Sequence, residues 1–180
     1  MTKKIQVEIT GITPLLMNNP IAMLNPKQEG KLSTENRDPV EEAKKVLYLD
    51  EKGKLYVPAT AIKGCLINAS AYRKFGKYSA KPIVAGGVNI FPDRVILSNQ
   101  TWEVDLRTVV IQRARVPKAR PKIIDWKLNF ELAYNEKLIA NGSLIKPILE
   151  DAGERVGLLD FRPAKLGSFG MFKVTKWKEE

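Results

Sequence analysis

The chain has 180 residues, of which 44% are hydrophobic, and its 30 Lys and Arg against 20 Asp and Glu give a net charge of +10. This length and apolar content suit one domain with an ordinary core. One cysteine and no histidine exclude an intramolecular disulfide and a site built from cysteine or histidine ligands, so we expect no metal or other cofactor. The first residues show neither a secretory signal nor a membrane span, which predicts a cytoplasmic protein with no membrane partner.

The positive charge is concentrated in parts of the chain. Residues 1–50 are neutral, with seven basic and seven acidic side chains, whereas residues 51–100 have a net charge of +6. Residues 107–122 contain six basic side chains and no acidic one: Arg107, Arg113, Arg115, Lys118, Arg120 and Lys122. Basic residues clustered on one element are typical of nucleic-acid-binding proteins, whereas a merely solvated surface has its lysines scattered.

The first half of the chain begins with a clear strand. Alternation in "KIQVEIT" places Ile5, Val7 and Ile9 on one face. We interpret residues 11–57 as an insertion with a long Pro-, Asn- and Gly-rich loop, a short helix over "PVEEAKKVL" and a small hairpin turning at Lys52 and Gly53. "PATAIKGCLINASAYRKF" predicts the clearest helix, whose buried stripe consists of Ile62, Cys65, Leu66, Ala69 and Tyr72.

The second half is interpreted as a sheet-forming region followed by a helix and a loop. "KPIVAGGVNIFPDRV" is a Pro/Gly-rich connection, and the strands "EVDLRTVVIQRARV" and "IIDWKLNFELAY" are joined by a stiff basic turn, "PKARPK". Residues 107–122 therefore form a basic hairpin. The second helix, "SLIKPILEDAG", begins at Ser143 and buries Leu144, Ile145, Ile148, Leu149 and Ala152. A glycine-rich loop over residues 157–170 leads into the last strand.

The order of these elements, without insertions, is strand, helix, strand, strand, helix, strand. It predicts a single α+β domain over residues 1–180 with a ferredoxin-like (RRM-like) antiparallel sheet, two helices on one face, and loop and hairpin insertions. The open face of such a sheet is an RNA-binding platform in some proteins, although the fold alone does not determine function.

Two motifs carry a resemblance to a known family. "LYVPATAIKGCLINASAYRKFG" resembles the strand, turn and helix with a basic-Gly pair of the repeat-associated RAMP superfamily, and "VGLLDFRPAKLGSFGMFKV" resembles its C-terminal glycine-rich loop and last strand. "ITGITPLLMNN" is a weaker match. The resemblance covers most of the chain and is to the Cas7-like backbone subunits of CRISPR effector complexes, or to a stand-alone or phage-borne relative. The chain is short for this family, which implies a reduced thumb hairpin or helical insertion.

The resemblance implies an antiviral ribonucleoprotein component that oligomerises along a guide or other single-stranded RNA, with other effector subunits as partners. Its matched motifs imply that the groove facing the RNA backbone is lined by Lys63, Gly64, Gly157, Arg162, Lys165, Gly167 and Gly170. Arg107 and the hairpin cluster from Arg113 to Lys122 would form a thumb or groove wall. Phe161 and Phe169 are candidates for stacking on bases, although core packing is the favoured role for them.

The same superfamily includes endoribonucleases, which often use a histidine that this sequence lacks. Asp38 is a weak catalytic candidate, but we favour its role as the cap of a helix that starts at Pro39. Tyr72 and Arg73 could replace the missing catalytic histidine, but nothing in their spacing requires it. We therefore predict a binding protein with no catalytic or metal-binding residue. Three alternatives stay open: a protein that binds or anneals single-stranded DNA, a RAMP endoribonuclease, and a subunit packing on an acidic protein.

Overall fold

The computed structural model describes residues 1–21, 38–111 and 113–180. Most of the predicted long loop, residues 22–37, lies outside the described residues. In the part that is described, no helix has the length and apolar character needed to cross a membrane.

The described residues form strands, α-helices and short helical turns. The strands are β1 (Thr2–Gly11), β2 (Leu15–Leu16), β3 (Tyr56–Pro58), β4 (Lys74–Phe75), β5 (Tyr78–Ser79), β6 (Val88–Phe91), β7 (Arg94–Ile96), β8 (Glu103–Ile111), β9 (Ala114–Ile123), β10 (Lys127–Asn135) and β11 (Phe172–Glu179). The α-helices are α1 (Pro39–Lys45), α2 (Ala59–Ala69), α3 (Ala80–Gly87) and α4 (Lys146–Asp151). Turns of 3-10 helix cover Ser70–Tyr72, Gly142–Leu144 and Pro163–Lys165, and a π-helical turn covers Ala152–Val156.

The main sheet has four antiparallel strands in the order β11, β1, β10, β6. The inward residues of β1, Ile5, Val7 and Ile9, share one buried core with Ile62 of α2 and Leu149 of α4. The six elements β1, α2, β6, β10, α4 and β11 therefore follow one another as strand, helix, strand, strand, helix, strand. This arrangement confirms the predicted α+β, ferredoxin-like fold class with insertions.

Strand β6, the second strand of this sheet in chain order, lies where the sequence analysis expected a connection. Residues 81–95 contain most of α3 and all of β6, whose Ile90 pairs with Leu132 of β10. The strand predicted at residues 103–116 is instead divided between β8 and β9, which pair with each other in a separate sheet with the order β2, β9, β8. The long hairpin is thus an insertion between β7 and β10.

The turn of the long hairpin also differs from the prediction. β8 and β9 meet around Arg113, which has a positive φ of 69°, whereas the segment "PKARPK" lies within β9. Two prolines are tolerated there because, among the described residues, β2 pairs with β9 only at Lys122 and Ile123, which leaves one edge of most of β9 without a pairing strand. The basic residues of this segment therefore lie along the side of a strand and not at a loop tip.

Helix α2 buries Ile62, Cys65, Leu66 and Ala69, which confirms four positions of the predicted stripe. Tyr72 is an exception and is exposed, because the chain tightens into a 3-10 turn after Ala69 and leaves the helical path.

The start of the second predicted helix needs a correction. The side chain of Asn141, and not of Ser143, caps a preceding 3-10 turn by accepting a hydrogen bond from the Ser143 N–H. Leu144 lies in this turn and is exposed rather than buried. The predicted small hairpin near Gly53 is reduced to a turn with one bridge between Leu49 and Leu55.

Candidate nucleic-acid interface

A groove of about 370 Å³ runs between α2 and the glycine-rich loop. Thr60, Gly64 and Asn68 line one wall, and their four-residue spacing places them on the same side of α2. Gly157 and Arg162 of the glycine-rich loop lie on the opposite side. The structure thus brings together one residue of the predicted basic-Gly pair and two residues of the predicted loop motif.

Lys63 and Gly64, the basic-Gly pair on α2, face different parts of the structure. A Cβ built at Gly64 meets no atom within 4 Å, so this glycine leaves open space on the groove wall. Lys63 points elsewhere, and its Nζ donates a hydrogen bond to Oδ1 of Asn89 on β6 at 3.1 Å. Lys63 is not among the residues that line the groove.

The glycines of the loop are required by contacts within the chain. Gly157 and Gly170 have positive φ angles of 71° and 69°, which disfavour other residues. A Cβ at Gly170 would collide with the carbonyl oxygen of Leu158, and one at Gly167 would collide with that of Phe161. At Gly167 and Gly170, the space in which an RNA backbone was expected is therefore approached closely by atoms of the loop itself. Contact of RNA with these two glycines stays a prediction.

Backbone hydrogen bonds fix the glycine-rich loop beside the segment after β1. The N–H of Asp160 donates to the carbonyl of Leu16 at 3.0 Å, and the N–H of Gly170 donates to that of Pro14 at 2.8 Å. These bonds place the loop opposite α2, and they position Asp160 and Arg162 at the groove.

Arg162 and Lys165 are the two basic residues of the loop. The Arg162 Nη1 donates to the carbonyl oxygen of Leu159 at 2.6 Å, which holds the guanidinium at the groove. Lys165 is exposed on the adjacent 3-10 turn and does not line the groove.

Burial raises the pKa of the groove residue Cys65 to about 12, an effect that the charge of Arg162 opposes. The thiol of Cys65 is therefore neutral near pH 7.

The structure corrects the expected role of Arg120. Its side chain is buried, and Nη1 forms an ion pair with Oδ2 of Asp160 at 2.8 Å. Alternation along β9 turns Arg120 toward the glycine-rich loop, where Asp160 neutralises it. This guanidinium holds the hairpin on the loop and is not available to a phosphate.

Arg107 makes a second connection between hairpin and loop. Its guanidinium carbon lies 4.9 Å from the ring centroid of Phe169 and 5.9 Å from that of Phe161, within the range of cation–π attraction. Arg107 also forms an ion pair with Asp105 at 2.9 Å. Phe169 is only 5% exposed, which confirms the core-packing alternative for this residue over stacking on bases.

The uncompensated charge of the hairpin lies toward its tip. Arg113 and Arg115 are exposed, and neither they nor Lys118 take part in an ion pair within residues 1–21, 38–111 and 113–180. Lys122, at the base of the hairpin, pairs with Glu103. The tip is therefore the part of the predicted cluster that is best placed to attract a polyanion.

The weak catalytic candidates have structural roles. The carboxylate of Asp38 accepts a hydrogen bond from the Val40 N–H at 2.9 Å, which confirms the predicted cap of α1. Arg73 forms an ion pair with Asp151 at 3.0 Å.

Sequence reasoning missed several residues of the groove. Thr60 and Asn68 could have been predicted, because they lie four residues before and four residues after Gly64, and residues at this spacing share one side of a helix. Asn18, which lies within the weakly matching segment "ITGITPLLMNN", and Tyr48 also line the groove. Their positions depend on how the insertion folds back on α2, for which the sequence carries no local signal.

Comparisons with known proteins show the fold. No protein-family model and no curated protein matches the chain. Among solved structures, it is similar to a chain of the Type III-B Cmr-beta bound to cognate target RNA, solved by cryo-EM, with a TM-score of 0.58 and 18% identity over 99% of this chain and 60% of that chain. A chain of a CRISPR RNA-guided surveillance complex is similar at a TM-score of 0.36 and 14% identity, covering 94% and 66% of the two chains. The chain spans about three-fifths of the length of the Cmr-beta chain.

Proposed function

We propose that this protein is an RNA-binding, Cas7-like subunit of an RNA-guided effector complex. In this proposal it holds single-stranded RNA in the groove, assembles with further copies along the strand, and contacts other effector subunits. The observation that carries the proposal is the groove between the bare wall at Gly64 and the guanidinium of Arg162. The Cmr-beta structure that shares its fold is bound to cognate target RNA.

The charges around the groove suit a phosphate backbone. Arg162 supplies a cation inside the groove, and Lys165 lies beside it on the same loop. The β8–β9 hairpin adds Arg113, Arg115 and Lys118 toward the tip of strands that are roughly 30 Å long, from nine residues at about 3.3 Å each. Cations arranged along an extended surface bind a strand through the release of its counterions.

The proposal is for binding without cleavage. Asp38 uses its carboxylate to cap α1, and the carboxylate of Asp160 at the groove is paired with Arg120. We therefore expect intact RNA after prolonged incubation with the protein and divalent cations, measured by gel electrophoresis.

The test of the groove is the substitution Gly64→Glu, which puts a carboxylate on the open wall. Gly86→Glu on α3 is a matched control, because a Cβ at Gly86 also meets no atom within 4 Å and Gly86 does not line the groove. We expect Gly64→Glu to weaken the binding of single-stranded RNA at least tenfold in fluorescence anisotropy, and Gly86→Glu to bind much more like the parent protein. Equal affinities of the two folded variants would overturn the groove as the RNA site.

Whether the protein prefers RNA or DNA is tested with single-stranded RNA and DNA of the same sequence. Tighter binding of RNA supports the proposal, since the 2′-hydroxyl is the group that distinguishes the two. Equal affinity would favour the single-stranded DNA alternative. Complexes whose mass rises in regular steps as the RNA lengthens would support assembly along the strand, and a complex that stays monomeric would contradict it.

A further inference from the structure

A second basic and aromatic segment, residues 72–81, lies outside the groove. Its sequence, "YRKFGKYSAK", contains four basic residues and no acidic one. Tyr72 is 86% exposed and Tyr78 is 62% exposed, which is unusual for side chains of this size. The segment forms the small β4–β5 hairpin that follows α2.

The hairpin is anchored to the body of the domain. The N–H of Ala80 donates to the carbonyl of Arg73 at 3.0 Å across its base, and Ala80 is buried. Phe75 packs against the hydrophobic core, while Gly76 provides the positive φ of the two-residue turn. The two exposed tyrosines are therefore presented by ordered backbone.

Cations flank both tyrosine rings. The Lys77 Nζ lies 5.4 Å from the centroid of Tyr78, and the guanidinium carbon of Arg155 lies 5.6 Å from that of Tyr72. Arg155 and Arg73 are both paired with Asp151. Lys74, Lys77 and Lys81 are exposed and take part in no ion pair among the described residues, so the segment carries three uncompensated positive charges.

The position of Tyr72 links this segment to the groove. Asn68 is the last residue of α2 that lines the groove, and Tyr72 follows it by four residues, in the 3-10 turn where the chain leaves the helical path. Four residues advance about 6 Å along a helix axis, and slightly more where the chain tightens into a 3-10 turn. The exposed ring of Tyr72 therefore lies about one helical turn beyond the groove wall.

We propose that residues 72–81 are a second contact surface for single-stranded RNA, on which Tyr72 and Tyr78 stack with bases and Lys74, Lys77 and Lys81 neutralise phosphates. Aromatic faces beside uncompensated cations match a strand that offers bases and phosphates in alternation. The inference rests on the proposed function, because the strand reaches this surface from the groove.

The stacking is tested with RNA that carries 2-aminopurine, whose fluorescence falls when it stacks. The double substitution Tyr72→Ala with Tyr78→Ala should weaken binding about tenfold or more and restore the fluorescence of the bound base. Tyr72→Phe with Tyr78→Phe keeps both rings and should retain the affinity and the quenching. Unchanged affinity and quenching in the alanine variant would overturn stacking on these residues.

The phosphate contacts are tested by the salt dependence of binding. Lys74→Gln, Lys77→Gln and Lys81→Gln together should reduce the slope of log K against log salt by about 2, since each lost contact to single-stranded nucleic acid removes about 0.7. The triple variant Lys52→Gln, Lys127→Gln and Lys137→Gln removes the same charge from exposed lysines elsewhere and should leave the slope close to that of the parent.

The two proposals fail in different ways. If Gly64→Glu binds RNA as tightly as Gly86→Glu, the groove and the proposed function are overturned. If Gly64→Glu loses binding while the lysine and tyrosine variants behave like their controls, only the second surface is overturned.

Discussion

Arg120 on β9 and Asp160 in the glycine-rich loop form an ion pair at 2.8 Å that joins the long hairpin to the loop. Arg107 reinforces the connection by lying over Phe169. The orientation of the basic hairpin tip therefore depends on the loop that lines the groove. Any change at the ion pair is expected to affect both surfaces together.

We expect Asp160→Asn to destabilise the protein by about 2 kcal/mol, because it leaves the buried guanidinium of Arg120 without its countercharge. The Nε of Arg120 already has no hydrogen-bond partner in the described part of the chain. Glu103→Gln is the control, since its partner Lys122 is more exposed and such pairs contribute about 0.5 kcal/mol. Urea unfolding distinguishes the two, and similar losses would show that burial of Arg120 is not decisive.

Gly167→Ala should destabilise the loop by about 2 kcal/mol, because the added Cβ collides with the carbonyl oxygen and ring of Phe161. Gly64→Ala adds the same group to a helix position where no atom lies within 4 Å, and it should stabilise the protein by about 0.5 kcal/mol. Thermal unfolding of both variants checks the opposite signs. A tolerated Gly167→Ala would mean that the loop packs differently.

The pH dependence of stability should include a contribution from Asp151. Hydrogen bonds from Arg155 and then Arg73 lower the pKa of this carboxyl from 3.8 to about 2. The ionised form stabilises the folded state, so its contribution is present above pH 3.8 and is lost as the pH falls toward 2. Asp151→Asn should cost about 1 kcal/mol at pH 7 and clearly less at pH 2, where the carboxyl of the folded protein is about half protonated, in urea unfolding at both values. An equal loss at both pH values would contradict this origin.

Arg113→Gln with Arg115→Gln should weaken RNA binding without changing the stability, because both side chains are exposed near the hairpin tip and form no described ion pair. The slope of log K against log salt should fall by about 1.4. Lys127→Gln with Lys137→Gln removes the same charge from other exposed positions and serves as the control. Equal slopes for the two double variants would remove the tip from the interface.

Part of the fold was predictable from local patterns. Ile5, Val7 and Ile9 alternate over a long strand, and the α2 stripe repeats over three turns, so both elements carry a strong periodic signal. β6 has four residues between a Gly pair and a Pro, which is too short for alternation to show. The turn of the hairpin was misplaced because "PKARPK" has the composition of a turn, whereas cross-strand pairing places it in β9.

The site was less predictable, because its residues act through partners distant in sequence. Nothing in the sequence around Arg120 shows that Asp160 neutralises it. Gly167 and Gly170 were predicted to face an RNA backbone, whereas the atoms that a side chain there would meet belong to Phe161 and Leu158. A glycine-rich pattern indicates a close approach without showing which molecule makes it.

The pairing of Asp160 and Gly170 with Leu16 and Pro14 has a consequence during protein synthesis. These partners lie at nearly opposite ends of the chain, so one side of the groove forms only after the glycine-rich loop has left the ribosome. A nascent chain that already displays α2 and the basic hairpin still lacks the wall with Arg162. The wall that α2 provides is therefore present earlier in synthesis than the wall that carries Arg162.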